Sequence, residues 1–314
     1  MGLEFINVIS TKRSGHHAFV RWLRQNRDTP AAFVNNVVIG EPIRAHLRTV
    51  SGPAARGKGA NGTSIFNYEG VTRLGLEAAW QMQRATGGQR VDLLFLRDPL
   101  NLTASLMHRK RLARLDLVMI LRQLFAERDW LKAYAEGAVP GLSLIGYNAW
   151  VLDAEYRQRV ADRLGLRSSE RVAAVTRHGG GSSFKDLASV GDDEARRLTT
   201  RWHGYRDDPL FGAVLTHPRL LPWFEAALAG EITDSFGATL ADSHGLAHLR
   251  AVARARPRQS YADRMIDALS DRQELFHGIE SGSSVVKKLG IARAHLAVLA
   301  GPGRAASQRA GSAA

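Results

Sequence analysis

Apolar residues in the first half of the chain gather in short unbroken runs, and the stretch after each run has a different spacing. Residues 3–9 are rich in Leu, Phe, Ile and Val, and similar runs recur at 33–38, 64–68, 91–96 and 142–147. Runs of this kind predict strands covered on both faces, because a strand with one wet face alternates apolar and polar positions. Between the runs, apolar residues return every three or four positions. Phe19, Trp22 and Leu23 do so after the first run. Leu117, Ile120, Leu121, Leu124, Phe125 and Leu131 make one stripe over 116–135, and Tyr156, Val160 and Leu164 make another, with Gly165 placed to stop it. Strands alternating with helices predict an α/β fold: a parallel β-sheet of about five strands flanked by helices.

Past residue 230 the pattern is helical on both sides of Pro257, and 301–314 is small, polar and Gly-rich. The expected organisation is an α/β domain over 1–229, a helical C-terminal extension over 230–300 and a disordered tail over 301–314. Residues 51–63, SGPAARGKGANGT, read as a loop that lies over a site as a lid. Gly52, Gly57 and Lys58 match part of a Walker loop, but Gly59 stands where a metal-holding Ser or Thr is needed, and no helical pattern follows directly.

Composition narrows the chemistry. The chain has 314 residues, 45% of them hydrophobic, enough for one large core. Forty-three Lys and Arg against 30 Asp and Glu give a net charge of +13, which draws anions ranging from nucleic acid to multiply charged nucleotides. The absence of cysteine excludes disulfides, Fe–S clusters and thiolate metal sites. No apolar run reaches the ~18 residues of a membrane-spanning helix. The first strand starts at once, without a signal-peptide pattern, and Ile6 occupies the position where a myristoylation signal needs Ser or Thr. A cytoplasmic location is the expectation. His244 and His248 share a helix face, but with no Glu between them and no third ligand they read as surface histidines.

Two strand ends carry the candidate chemistry. The first run passes through residues 10–16 directly into a helical pattern that starts near Gly15. The first N–H groups of that helix would point at the turn, where Lys12 and Arg13 add full charges and Ser10, Thr11 and Ser14 add hydroxyls. Gly15 allows close backbone approach. This is an anion site suited to phosphate or sulfate. The run at 91–96 leads into Arg97, with Pro99 suited to a helix's first turn and Asp98 or Asn101 suited to cap it. Arg97 at the strand end and Ser105 two turns down the helix can grip one anion from two sides.

These segments resemble the nucleotide-dependent sulfotransferase family, whose donor is 3′-phosphoadenosine-5′-phosphosulfate (PAPS). Arg13-Ser14-Gly15-His16-His17 is similar to the family's Lys-Ser-Gly-Thr-Thr loop for the 5′-phosphosulfate, and Arg97 and Ser105 keep the Arg-to-Ser interval of its 3′-phosphate motif. Residues 144–166 resemble a following strand and helix, and RHGGGSSF at 177–184 resembles a late glycine-rich segment of bacterial members. The resemblance covers roughly 3–225. It departs at Arg13, where the family has a catalytic lysine, at His16 and His17, where it has threonines, and at a missing late Arg-Lys-Gly segment, for which Arg177, Gly180 and Lys185 are candidate substitutes.

The resemblance implies a P-loop-kinase-like sulfotransferase fold and in-line transfer of a sulfuryl group from PAPS to an acceptor hydroxyl or amine, leaving adenosine 3′,5′-bisphosphate. Donor contacts fall on Arg13, Ser14, Gly15, His16, His17, Arg97 and Ser105, with Arg177, Gly180 and Lys185 beside them. Arg13 and Lys12 would neutralise the transferring group. Glu69, ending the run SIFNYE, is the candidate base, with His16 and His17 as rivals. The scheme requires no metal and no obligatory nucleic acid. The acceptor remains open among a sugar, a lipid headgroup, a peptide and a small alcohol. Two other classes fit the same residues: a P-loop-kinase-like phosphotransferase, and a non-catalytic binder of nucleic acid or other polyanions.

Overall fold

A computed structural model describes residues 3–35, 37, 62–108, 114–167 and 197–255, with side chains from residue 120 onward in the helix that begins at 114. The segments at 51–61, 177–184 and beyond 255, and with them Arg177, Gly180, Lys185 and the flanks of Pro257, lie outside the described residues.

Five parallel strands, β1 (Glu4–Ser10), β2 (Ala32–Val34), β3 (Thr63–Glu69), β4 (Gln89–Leu96) and β5 (Leu142–Gly146), form one sheet in the order β2-β3-β1-β4-β5. Both faces are covered, which explains the unbroken apolar runs. Ile6 and Val8 of β1 point to one face, where they meet Phe19 and Leu23 of α1 (His16–Gln25) and Trp150 of α5 (Tyr147–Leu152). Phe5 and Ile9 point to the other face, with Leu76 of α2 (Arg73–Arg84) and Trp130 and Leu131 of α4 (Arg114–Ala135). On this second face a buried polar network joins three elements: Asn7 exchanges amide hydrogen bonds with Gln83 and donates to Asp92, which also accepts from Trp80 Nε1.

Helix α3 (Pro99–His108) begins where the proline predicts, and Asp98 caps it by accepting from the Asn101 N–H at 2.9 Å. Helix α6 (Ala154–Arg163) buries Tyr156 and Val160 and gives way to Gly165 at φ +60°. Of the run at 33–38, Phe33 and Val34 lie in β2, and residues 36 and 38 lie outside the described residues. The run at 142–147 ends one residue early, and Tyr147 opens α5.

A third apolar cluster, beside those on the two sheet faces, joins α3 and α4 to a 3₁₀ turn (Arg201–Tyr205), α7 (Pro209–Leu215), α8 (Leu221–Ala229) and α9 (Ser243–Ala255). Residues beyond 230 enter these cores: Ile232 and Leu240 join the α2 face, Phe236 the α1 face and Leu249 the helical cluster. Buried Asp234 fastens this segment to the end of β5. It accepts from the Tyr156 hydroxyl, from the Gly146 N–H at 3.2 Å and from the N–H groups of Phe236 and Ala238. Among the described residues no helix is long and apolar enough to cross a membrane.

The strand order decides where a ligand can sit. From β1 the chain departs toward β2 and β3, and from β4 it departs toward β5, so the order reverses between β1 and β4. In open parallel sheets the crevice at such a reversal, beyond the carboxyl ends of the strands, is the ligand position.

Candidate functional site

The register brings the predicted segments to this edge. Ser10 pairs with Glu69 on one side and Phe95 on the other, and Leu96 pairs with Gly146, so residues 11–17, Glu69, Arg97 and Tyr147 all follow aligned strand ends.

The turn after β1 is tightly held. The Ser14 N–H donates to the Thr11 carbonyl at 3.3 Å, and the Gly70 N–H donates to the Ser10 carbonyl at 2.7 Å. Arg13 has φ +72° and is the one non-glycine residue with positive φ among the described residues. Such a conformation in a long side chain persists only where its surroundings over-determine it. Gly15 follows at φ +94°. A Cβ there would lie 2.8 Å from Tyr147 Cδ2 and nearer still to Cε2, so this glycine answers two demands, its backbone angle and a ring pressed against it. Gly15 also precedes α1 without a side-chain cap. Phe19, stacked on Phe95 at 4.6 Å, anchors the helix to the sheet behind the turn.

Helix α4 supports the turn from the other side. Gln123 Oε1 accepts the Lys12 N–H at 2.7 Å, and Glu127 Oε2 accepts the Thr11 hydroxyl at 3.0 Å. Burial pushes the Glu127 carboxyl well above its ordinary range; the Thr11 hydrogen bond opposes this and nearby Asp98 adds to it. Burial also raises Asp98, against the pull of Arg97 and Asn101. Lys12 itself is exposed and Arg13 half-buried.

Arg97 meets the turn directly. Its Nη1 donates to the Arg13 carbonyl at 3.4 Å, its Nη2 donates to the Leu198 carbonyl, and its guanidinium lies 4.6 Å from the Tyr147 ring centroid. It is only 2% exposed. Asn101 bonds the Thr199 carbonyl at 2.5 Å, which fixes the 197–202 segment over Arg97. Ser105 is also 2% exposed, within a helix buried from Pro99 to Met107. The two segments expected to hold anions therefore meet through Arg97 and Arg13, and Arg97 and Ser105 are both buried rather than open.

Glu69 is joined by both histidines of the turn. His16 Nε2 lies 2.9 Å and His17 Nε2 3.2 Å from Glu69 Oε1, the two rings are 4.1 Å apart, and His16 Nδ1 lies 3.1 Å from Ser14 Oγ. Burial raises the Glu69 carboxyl, but the hydrogen bonds from His16 and His17 outweigh it and hold the group below its ordinary range. Burial lowers His16, more than the Glu69 hydrogen bond raises it. The side chain of His17 keeps 31% exposure.

A cavity of about 450 Å³ begins at Gly70, the residue after Glu69, and is lined by Leu74, Arg122, Phe125, Arg128, Asp129 and Trp130 among others; His16, His17, Glu69 and Arg97 are not part of its lining.

Sequence reasoning did not single out Tyr147, Gln123, Glu127 or Leu198. Gln123 and Glu127 had a signal, being polar residues four apart within a helix whose neighbours at 120, 121, 124 and 125 are apolar. Tyr147 had none, because it reads as the last residue of an apolar run.

In comparisons with known proteins, no family model and no curated protein matches the chain.

Proposed function

We propose that the chain is a PAPS-dependent sulfotransferase that moves a sulfuryl group to an acceptor hydroxyl or amine. The observation that carries this reading is the meeting of the Arg13–His17 turn with Arg97 at the order reversal of a parallel sheet, where Arg97 Nη1 touches the Arg13 carbonyl.

In the proposed step, an acceptor oxygen or nitrogen attacks sulfur while the bond from sulfur to the 5′-phosphate oxygen breaks. That oxygen keeps the electron pair, and adenosine 3′,5′-bisphosphate leaves. Lys12 and Arg13 neutralise charge on the sulfuryl and phosphate oxygens, each such contact contributing ~3 kcal/mol at the transition state. Ser14, Gly15 and His16 position the 5′ group with hydroxyl and backbone donors. Arg97 and Ser105 take the 3′-phosphate in this reading, and the Arg97 bond to the Leu198 carbonyl must open for this to happen. Arg177, Gly180 and Lys185 remain candidates for the donor's other contacts.

The proton goes to His17. A carboxylate held below its ordinary range is a weak base, so Glu69 serves better as the group that orients an imidazole. With Nε2–H donating to Glu69 Oε1, His17 presents the Nδ1 lone pair to the acceptor. The acceptor's proposed place is the cavity that begins at Gly70, next to Glu69 in sequence, whose lining combines apolar side chains with both cations and the carboxylates of Asp129 and Glu136.

Calorimetry with adenosine 3′,5′-bisphosphate in the absence of Mg²⁺ tests the reading. Saturable binding is expected, at least tenfold weaker in Arg97→Ala, while Arg13→Ala chiefly slows turnover. No binding of this nucleotide beside clear binding of ATP would overturn it in favour of a phosphotransferase. Binding to any polyanion that falls steeply with salt and ignores Arg97→Ala would favour a nucleic-acid or polyanion binder.

A further inference from the structure

Three side chains at this edge carry donors suited to a first-row divalent metal. Among the described residues, His16, His17 and Glu69 are the one group of three or more His, Asp or Glu whose ligand atoms lie within 4.8 Å of one another. Both imidazole Nε2 atoms face the same oxygen, Glu69 Oε1, at 2.9 and 3.2 Å. A cation ~2.1 Å from Glu69 Oε1 and from one Nε2, the usual length for carboxylate oxygen and imidazole nitrogen, would hold that pair at an angle of about 90–100°, and the third ligand atom lies within 4.8 Å of both. Those angles lie close to octahedral and tetrahedral values, and rotation of the partly exposed His17 side chain closes the third distance.

The surroundings agree with the donor set. His16 Nδ1 lies 3.1 Å from Ser14 Oγ. A ring proton kept there leaves Nε2 as a lone pair for a metal, the outer contact that metal-bound histidines use. The rigid turn fixes His16 and His17 as neighbours, and β3 fixes Glu69 beside them through the Ser10 register pair. The exposed side of His17 leaves one approach open. Without a cation, the same atoms satisfy one another through Nε2–H donation to the carboxylate, so an ion would replace hydrogen bonds rather than fill an open cage. Lys12 and Arg13 on the same turn oppose a dication and hold the affinity below that of a closed structural site.

We propose that His16, His17 and Glu69 form a three-ligand site for Zn²⁺, with its remaining position open past the exposed side of His17. The site stands apart from the sulfuryl-transfer reading and does not depend on it. Where both hold, Zn²⁺ takes His17 and Glu69 out of proton transfer and inhibits the enzyme.

Titration of the nucleotide-free full chain with ZnCl₂ by calorimetry tests the site. One Zn²⁺ per chain is expected, with affinity reduced at least tenfold in His17→Ala and in Glu69→Gln. His244→Ala, which removes an exposed histidine on α9, should leave it unchanged. MgCl₂ should give no saturable heat, since Mg²⁺ selects oxygen ligands. Co²⁺ should produce visible absorption bands that vanish in the same two variants. Absence of one-to-one Zn²⁺ binding to the wild-type chain, or binding retained in both variants, overturns the proposal. Thermal melting establishes that each variant folds, and His17→Ala, at a partly exposed position, carries the test if Glu69→Gln does not fold. The adenosine 3′,5′-bisphosphate titration is separate, so failure of one site is distinguishable from failure of the other.

Discussion

At the scale of single residues, the site rests on side chains whose freedom has been removed. Gly15 combines φ +94° with a Tyr147 ring against its α-carbon. Gly15→Ala is therefore expected to destabilise the fold by ~1–3 kcal/mol through backbone strain and overpacking, read as a lower urea midpoint, and to abolish nucleotide binding. Arg97 is held just as firmly, between two carbonyl oxygens and an aromatic face. Arg97→Lys keeps the charge but cannot serve both carbonyls and the ring with one planar fork. It should lose as much adenosine 3′,5′-bisphosphate affinity in calorimetry as Arg97→Ala, and full retention by the lysine variant would show that charge alone matters. Gly15 is legible in the sequence as part of a basic turn and Arg97 as a strand-end residue. Their partner Tyr147 is not, because a contact across 132 residues leaves no mark on local spacing.

At the scale of elements, the β1–α1 turn is positioned by α4 as much as by its own sequence. Thr11 and Lys12 both bond side chains of that helix, and one of them, Glu127, is buried with its pKa raised. Its folded-state pKa lies above its unfolded value, so the folded chain binds the extra proton. The associated stability is complete below the ordinary carboxylate range and is lost as pH rises through the raised value. Glu127→Gln, which cannot ionise and still offers an oxygen to Thr11, should weaken this decline and exceed the wild type in stability at pH 8. Urea midpoints at pH 5 and pH 8 for both chains check this, and identical pH dependence would refute it. Asp98, raised in the same direction, leaves a residual slope in both. The stripe over 116–135 predicts the helix from its apolar residues, and the polar pair Gln123 and Glu127 marks the place where that face leaves the core and meets the turn.

At the scale of the molecule, residues 231–255 are packed into the clusters that the sheet and its helices build, through Ile232, Phe236, Leu240 and Leu249. A chain ended after Gly230 is expected to be insoluble or to lack a cooperative melt, which tests whether 1–229 folds as a unit. Asp234→Ala should cost roughly 3 kcal/mol, because it leaves buried N–H groups and the Tyr156 hydroxyl without their acceptor. Chemical denaturation measures it. The five strands and the helices over 16–25, 99–108, 114–135 and 154–163 were readable from spacing and end signals, since burial on both faces forces apolar runs in strands and burial on one face forces a stripe in helices, whereas α2, α7 and α8 were not singled out. The basic glycine turn and the Arg97 strand end were readable for a related reason: residue type and backbone demand coincide within a few positions. What only the tertiary structure decided is which ends adjoin. The crossover from β3 past β1 to β4 sets Glu69 beside His16 and His17, 53 and 52 positions away in sequence, and sets Arg97 against Arg13. Local patterns specify elements through short-range geometry, whereas a site drawn from several strand ends depends on the sheet order, which the packing of the whole chain selects.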